Sequence, residues 1–396
     1  MSKWSEVRLG ELIDVNPETL AVSKYNGKIQ YIDISSVNCG QLDGYTEYDI
    51  VDAPSRARRI IRNNDIIYST VRPNLRAYYY VKNCPDNAIC STGFAVLRAK
   101  ENVDSRFIYS LVTENSFVDY LSLVAKGSAY PAVDTADFKK SKVTVPDLPT
   151  QKRIADILFA YDDLIENNNR RIALLEKAAQ ELYKEWFVRF RFPGYENTKF
   201  EGDIPKGWET RRLGDVLDIK RGGSPRPIQD FLTNDGLKWL KISDATKSSN
   251  PFVFNIEESI KEEGLRKTVY LKAGSLVLSN SATPGLPRIL AIDTCIHDGW
   301  LYFTNQNLSN EFLFLFFNHI RPNLVNKGNG AVFTNLKTDI LKKYLFARPE
   351  ERVLQQFDNA IKPIFNQIYT ITKQNVNLTM QRDLLLPRLM SGKLEV

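Results

Sequence analysis

Internal repetition is the feature that most constrains this chain. Trp4 and the run Leu9-Gly10-Glu11-Leu12 return as Trp208 and Leu213-Gly214-Asp215-Val216, displaced by 204 residues. Asp65-Ile66-Ile67-Tyr68-Ser69 is echoed by Ser275-Leu276-Val277-Leu278-Ser279. Each echo reads as a short apolar strand, followed by small polar residues and then Pro73 or Pro284. Lys126-Gly127-Ser128 returns as Lys327-Gly328-Asn329-Gly330, and each copy meets a proline, Pro146 or Pro349, before a long helical stretch. Solenoid repeats have periods of roughly 20–50 residues, so this spacing describes one domain-plus-helix unit written twice.

The helical stretches carry the clearest local pattern. Ile154, Leu158, Tyr161, Ile165, Asn168, Ile172, Leu175, Ala179, Leu182 and Trp186 follow one another in alternating steps of four and three. Phe357, Ile361, Ile364, Ile368, Ile371, Asn375, Leu378, Arg382, Leu385 and Leu389 do the same, each 203 residues after its counterpart. Alternating steps are the a/d signature of a heptad seam, and two such seams can bury each other as a coiled coil. Each is about 50 Å long at 1.5 Å per residue. Asn168 and Asn375 are polar seam positions of the kind that fix register at a cost in stability. Pro363 removes a backbone hydrogen bond and is expected to kink the second helix, where the first has Ala160.

Between the helices the text is strand-like. Ile66–Ser69, Ala77–Val81, Phe94–Arg98, Val143–Val145, Lys238–Ile242, Ser275–Leu278 and Trp300–Phe303 are rich in β-branched and aromatic residues and bounded by Gly, Pro and Asn. Short helices are expected at Ser105–Thr113 and Asn310–Asn318. The fold class is therefore α+β, with two tandem globular domains each followed by a long helix. The partition is a first domain over 1–149, a helix over 150–191, a linker over 192–207, a second domain over 208–349, a helix over 350–390 and a tail over 391–396.

Composition mainly excludes. No apolar run reaches the ~18 residues of a membrane span, and the opening residues do not read as a signal peptide. Four cysteines without a C-x-x-C pair and two histidines, His297 and His319, argue against a zinc site, a disulfide framework or a histidine-based triad, and fit a reducing cytoplasm. No phosphate-binding loop and no Asn/Asp-Pro-Pro-aromatic methyltransferase loop occurs. The net charge of +6 is mild, but residues 56–76 hold Arg56, Arg58, Arg59, Arg62, Arg72 and Arg76 against Asp65 alone. Arginine at that density suits phosphate and the guanine edge. In the second half, Lys220-Arg221-Gly222-Gly223-Ser224-Pro225-Arg226 offers cations beside glycines whose backbone N–H groups could approach phosphate. Ser69 and Thr70, with their echo Ser279, Asn280 and Thr283, are candidate donors to bases or phosphates, or else satisfy their own turns. Lys126, Lys327 and Asn329 are further candidate phosphate contacts.

These residues also carry a resemblance. Leu148-Pro149-Thr150-Gln151-Lys152-Arg153-Ile154-Ala155-Asp156-Ile157-Leu158, with Asp162-Asp163-Leu164-Ile165-Glu166-Asn167-Asn168-Asn169-Arg170-Arg171-Ile172 and Glu181-Leu182-Tyr183-Lys184-Glu185-Trp186-Phe187, resembles the central region of type I restriction–modification specificity subunits. Leu385-Leu386-Pro387-Arg388-Leu389-Met390-Ser391-Gly392-Lys393-Leu394 resembles their C-terminal signature, and Ile204-Pro205-Lys206-Gly207-Trp208 a typical domain opening. The resemblance implies two target-recognition domains, each reading one half of a bipartite site in double-stranded DNA. It implies an antiparallel coiled coil that sets the spacer and docks two adenine-N6 methyltransferase subunits, with restriction subunits driving translocation and cleavage. The chain itself would be non-catalytic, with S-adenosylmethionine, ATP and Mg on partner subunits, no membrane, and a cytoplasmic location. Many recognition domains carry a Gly-x-Thr-Pro-like turn; the second half has Gly222-Gly223-Ser224-Pro225, and the first has Val15-Asn16-Pro17-Glu18 without the glycines. Two other classes stay open on the residues alone: a coiled-coil adaptor without a DNA role, and a stand-alone DNA-modifying enzyme.

Overall fold

The computed structural model describes residues 4–127, 130–247, 250–326 and 335–396. The chain divides into two compact units, one made of Met1–Leu164 and Leu378–Val396, the other of Ile165–Asn377. The division cuts both long helices, Leu148–Tyr183 and Glu351–Met390, so each unit owns a globular body and a segment of each helix.

In the first unit, Ser5–Arg8 pairs antiparallel with Lys142–Val145 and ties the start of the globular body to its end. One four-stranded sheet runs Thr46–Asp49, Lys28–Ile32, Ala88–Ser91, Ala57–Ile60; the other runs Ile13–Val15, Phe94–Ala99, Ile66–Ser69, Tyr78–Tyr80. Side chains alternate across a strand, and the second sheet uses both faces. Ile66, Tyr68, Ala95 and Leu97 join a core with Phe107, Ile108 and Leu111 of the helix Ser105–Thr113. Ile67, Phe94 and Val96 join a second core with Ile32, Val81 and Cys90. Burial on both faces explains why these strands read as unbroken apolar runs.

The second unit repeats the plan. Glu209–Arg212 pairs with Leu345–Arg348. One five-stranded sheet runs Asp218–Arg221, Trp300–Thr304, Leu276–Ser279, Pro287–Leu290, Phe252–Val253; the other runs Leu232–Thr233, Ser259–Ile260, Leu237–Leu240, Thr294–Ile296, Val269–Leu271. Leu276, Leu278 and Leu301 face the core of the helix Asn310–Asn326, whereas Val277 and Trp300 face the other. The two units share a parallel strand pair at the same place, Lys28–Ile32 with Ala88–Ser91 and Leu237–Leu240 with Thr294–Ile296; the second unit adds another, Phe252–Val253 with Pro287–Leu290.

The repeated Leu-Gly is a packing requirement. Leu9 and Leu213 are fully buried, and their N–H groups donate to Ser141 O and Tyr344 O, both at 2.9 Å. A Cβ on Gly10 would lie 3.0 Å from Lys139 O, and one on Gly214 would lie 3.0 Å from Lys342 Cβ. In both units, then, a short helix (Thr135–Lys140 or Thr338–Lys342) lies against the glycine.

The Leu-Pro-Thr-Gln run is the joint between the first body and its helix. The Asp147 carboxylate accepts from Thr150 N at 3.0 Å, which satisfies one open N–H at the helix start. Gln151, 4% exposed, donates to Pro146 O at 2.9 Å and accepts from Asp104 N at 3.2 Å. Beyond it, the two helices meet along their seams within each unit. In the first unit Ile154 and Leu158 share a core with Leu385 and Leu389, and Arg382 pairs with Asp162 at 2.6 Å. In the second, Asn168 Nδ2 donates to Asn375 Oδ1 at 2.8 Å and Ile172 packs on Ile368 and Ile371. As the first helix advances, its contacts retreat along the second, so the segments run antiparallel in each unit.

Two expectations differ from the structure. The strand expected at Lys238–Ile242 ends at Leu240, because Ile242 opens a short helix whose Asp244 carboxylate accepts from Lys241 N at 3.1 Å. The helix at Asn310 runs on to Asn326 through Pro322, since Leu313, Phe317, Ile320 and Leu324 continue the buried face. The second long helix, Glu351–Met390, runs through Pro363, which is exposed while Ile361 and Phe365 on either side are buried. In the stretch read as a linker, Phe192 stacks on Trp208 at 5.4 Å, and Phe200–Glu201 pairs with Ile204–Pro205.

One buried carboxyl gives the second unit a pH dependence. Glu176 lines a cavity of about 230 Å³ with Arg288, Phe314 and Phe365, and its Oε1 is buried without a hydrogen-bond partner among the described residues. Burial raises its pKa to about 7, against the opposing pull of Arg288. The folded state keeps this proton between the ordinary value of 4.5 and about 7, where the unfolded chain has lost it. Stability therefore falls as pH rises through that window. Glu176→Gln is expected to flatten the loss of melting temperature between pH 5 and pH 8; a slope equal to that of the unsubstituted chain would refute this.

Candidate nucleic-acid interface

In the first unit the strand Ile66–Ser69 runs into the loop that bears Thr70, Arg72 and Arg76. Thr70 N and Oγ1 both donate to Gly93 O, each at 2.9 Å, which pins the loop to the turn between Ala88–Ser91 and Phe94–Ala99. Val133 N donates to Thr70 O at 2.8 Å and Arg72 N to Pro131 O at 2.7 Å. Lys126 and Ala132 exchange two backbone bonds, at 2.8 and 2.9 Å. The loop after Ser69 and the exposed Lys126 are thus brought together by the segment Pro131–Val133. Ser69 Oγ donates to Val71 O at 2.9 Å, so Ser69 and Thr70 serve the turn itself.

Arg72 and Arg76 flank a single 3₁₀ turn, Pro73–Leu75, with φ of +49° and +56°. Left-handed backbone at a non-glycine residue persists only where its surroundings hold it. The Arg72 guanidinium lies 4.9 Å from the centroid of Tyr130, a ring that is 71% exposed. Such a stack orients an arginine fork. Arg76 Nη2 donates to Asn115 Oδ1 at 2.6 Å and is held to a helix.

The rest of the arginine run lies on or beside the edge strand Ala57–Ile60. Arg58 Nη1 donates to Ala57 O at 2.8 Å, and Arg59 Nη1 to Thr19 Oγ1 at 3.2 Å. Arg62 pairs with Glu18 at 2.6 Å. Arg98, which also pairs with Glu18, grips the buried Asp65 with two bonds of 2.7 Å, and Arg98 and Arg62 together hold the Glu18 carboxyl below its ordinary pKa. Arg56 is exposed. The six arginines therefore separate into a loop pair, Arg72 and Arg76, and an edge group partly neutralised from within.

In the second unit the equivalent loop follows Leu276–Ser279. Asn280 N donates to Gly299 O at 2.9 Å and Leu336 N to Asn280 O at 2.6 Å, the same pinning seen at Thr70. Ser279 Oγ donates to Thr283 O and accepts from Leu286 N, so it too serves its turn. Asn280 Nδ2 donates to Asp298 O at 3.2 Å, while its Oδ1 is buried without a partner among the described residues. Thr283 is half-buried. Lys327 and Asn329 lie outside the described residues.

The Lys220–Arg226 loop corrects the expectation of free backbone donors. Gly222 N donates to Trp300 O at 2.8 Å and Gly223 N to Ile296 O at 3.3 Å. A Cβ on Gly222 would lie 2.3 Å from His297 O, and one on Gly223 would lie 2.8 Å from Lys267 O. The glycines are there because backbone passes close by. Asp298 organises what remains: Ser224 Oγ donates to it at 2.7 Å, Arg226 pairs with it at 3.1 Å, and Arg221 Nε donates to its carbonyl. The Ser224 bond, with Arg221 and Arg226, holds the Asp298 carboxyl below its ordinary pKa. Lys220 stays exposed at the strand end.

Sequence reasoning did not bring Tyr130, His297 or Asp298 to these loops. His297-Asp298-Gly299 has the composition of a turn between two apolar runs, but no spacing indicated that it abuts residues 222–226. Among the described residues, no group of three or more His, Cys, Asp or Glu is placed to hold a metal, and no helix is long and apolar enough to cross a membrane.

The geometry can be set against known proteins. The family model for the type I restriction modification DNA specificity domain matches residues 1–177 and again 205–378. The MjaIX specificity subunit of a type I restriction enzyme from Methanocaldococcus jannaschii is 27% identical over 329 residues, covering 80% of this chain and 75% of that protein. The HindI specificity subunit from Haemophilus influenzae is 24% identical over the full length of both. The crystal structure of a type I restriction–modification S subunit from M. genitalium shares the fold, with a TM-score of 0.59 at 14% identity over 98% of this chain and 96% of that one. With both halves matched by one family model and both units built on one plan, the chain belongs to the type I restriction modification DNA specificity family.

Proposed function

We propose that this chain is the sequence-specificity subunit of a type I restriction–modification complex, and that each unit reads one half of a bipartite site in double-stranded DNA. The observation that carries the reading is the double match of the specificity-domain model, once to each half. The common loop construction supports it: Thr70 and Asn280 are pinned by the same two backbone bonds, beside Arg72 in one unit and Arg221 and Arg226 in the other. In this reading residues 1–149 and 208–349 recognise DNA, and 150–191 and 350–390 form an antiparallel coiled coil, with 192–207 as linker and 391–396 as tail. The coil sets the spacer and docks two adenine-N6 methyltransferase subunits. Methyl transfer, translocation and cleavage belong to methyltransferase and restriction partners, which carry S-adenosylmethionine, ATP and Mg in the cytoplasm, and this chain is not itself an enzyme.

Mapping N6-methyladenine in host DNA with and without the gene tests this. The expected result is a split motif methylated only when the chain is present; an unchanged methylation pattern would reject the reading. Arg72→Ala in the methyltransferase-loaded complex is expected to weaken one half-site by about 1–3 kcal/mol if its fork reads a base. Unchanged affinity and preference in a binding titration would remove Arg72 from the reading surface.

A further inference from the structure

The second unit contains an open groove of about 860 Å³ beside the loop that Asp298 organises. Pro225, Pro227, Ile228, Trp239, Ile242 and Ala282 give it apolar walls, and Arg226 and Lys241 also line it, paired with Asp298 and Glu258. His297 also lines it, with a side chain 20% exposed. His297 Nδ1 accepts the Gly299 N–H at 2.8 Å. An imidazole nitrogen that accepts carries no proton, so in the neutral ring the hydrogen sits on Nε2. Burial, joined by the charges of Lys241 and Arg221 and opposed by Asp298, holds the His297 pKa below its ordinary value, so the ring is neutral at physiological pH. The ring is fixed sideways as well, 6.0 Å from Trp239 and 6.5 Å from Trp300.

We propose that His297 is a specificity-determining residue of the second unit: its Nε2–H, held in one tautomer by the Gly299 turn, donates to an acceptor at a base edge of the bound DNA. The inference rests on the DNA-reading function proposed above and names a group that reads. The apolar walls fit the thymine methyl and the faces of the sugars. A single fixed donor has a defined selectivity in the major groove. Guanine N7 and O6, adenine N7 and thymine O4 accept; cytosine offers only its N4 amino donor there. His297 therefore rejects cytosine at one position of one half-site.

The test uses the methyltransferase-loaded complex and a library of duplexes randomised across both half-sites. His297→Asn is the informative variant, because its Oδ1 can keep the Gly299 bond while nothing reaches the place of Nε2. The expected result is that one position of one half-site admits cytosine, with discrimination there weakened about tenfold, the loss of roughly one hydrogen bond. The other half-site stays unchanged and certifies the fold. His297→Ala is expected to relax the same position. An unaltered motif with both variants, or relaxation spread over both half-sites, overturns the inference. A complex that selects no split motif even with His297 in place overturns the function itself, and so separates the two failures.

Discussion

The antiparallel contact of two heptad seams is the constraint on which the rest of the structure depends. In each unit a globular body is fastened to segments of both helices, so neither body is complete without residues from distant parts of the chain. Apolar seam contacts alone tolerate slippage, and polar contacts make one register preferable. Here they differ between units. The first uses an ion pair, Asp162 with Arg382, whose partners are costly to desolvate apart; in the second Asn168 Nδ2 donates to Asn375 Oδ1, and Asn375 Nδ2 donates to Asn169 Oδ1. A shift of register would leave the buried Asn168 and the half-buried Asp162, Arg382 and Asn375 without these partners.

The second recurring device is the pinned loop. A strand end, a hairpin turn and a returning segment meet at Thr70 in one unit and at Asn280 in the other, through the same pair of backbone bonds. This fixes the backbone while leaving side chains free to differ. The first unit presents Arg72 on Tyr130, and the second an Asp298-centred cluster beside His297. A shared frame with unlike side chains is what a chain needs if its two halves are to read different sequences.

Much of this was legible in the sequence. The 203-residue copy of the seam predicts both long helices, and the Leu-Gly echo marks the contact where Gly10 and Gly214 admit a helix. The interface was less legible because it is made by pairing partners far apart in sequence. Arg62 reads as a free cation until Glu18 is placed beside it, and Gly222 reads as a phosphate donor until Trp300 O is found accepting its N–H. His297 was passed over because its meaning lies in Gly299 and Trp239, which no spacing connects. The family resemblance supplied DNA and partner subunits; the residues supplied the helices, the repeat and the arginine loop.

The central claim is that paired helices set the distance between two DNA-reading units. The most direct measurement is the spacer of the methylated motif after one heptad is inserted behind Leu164 and a matched heptad behind Asn377. A heptad adds about 10.5 Å of helix, equal to about 3 bp at 3.4 Å per step. The account predicts that both half-sites keep their sequence while the spacer lengthens, by up to about 3 bp. Methylation of the original motif with its original spacer would contradict it.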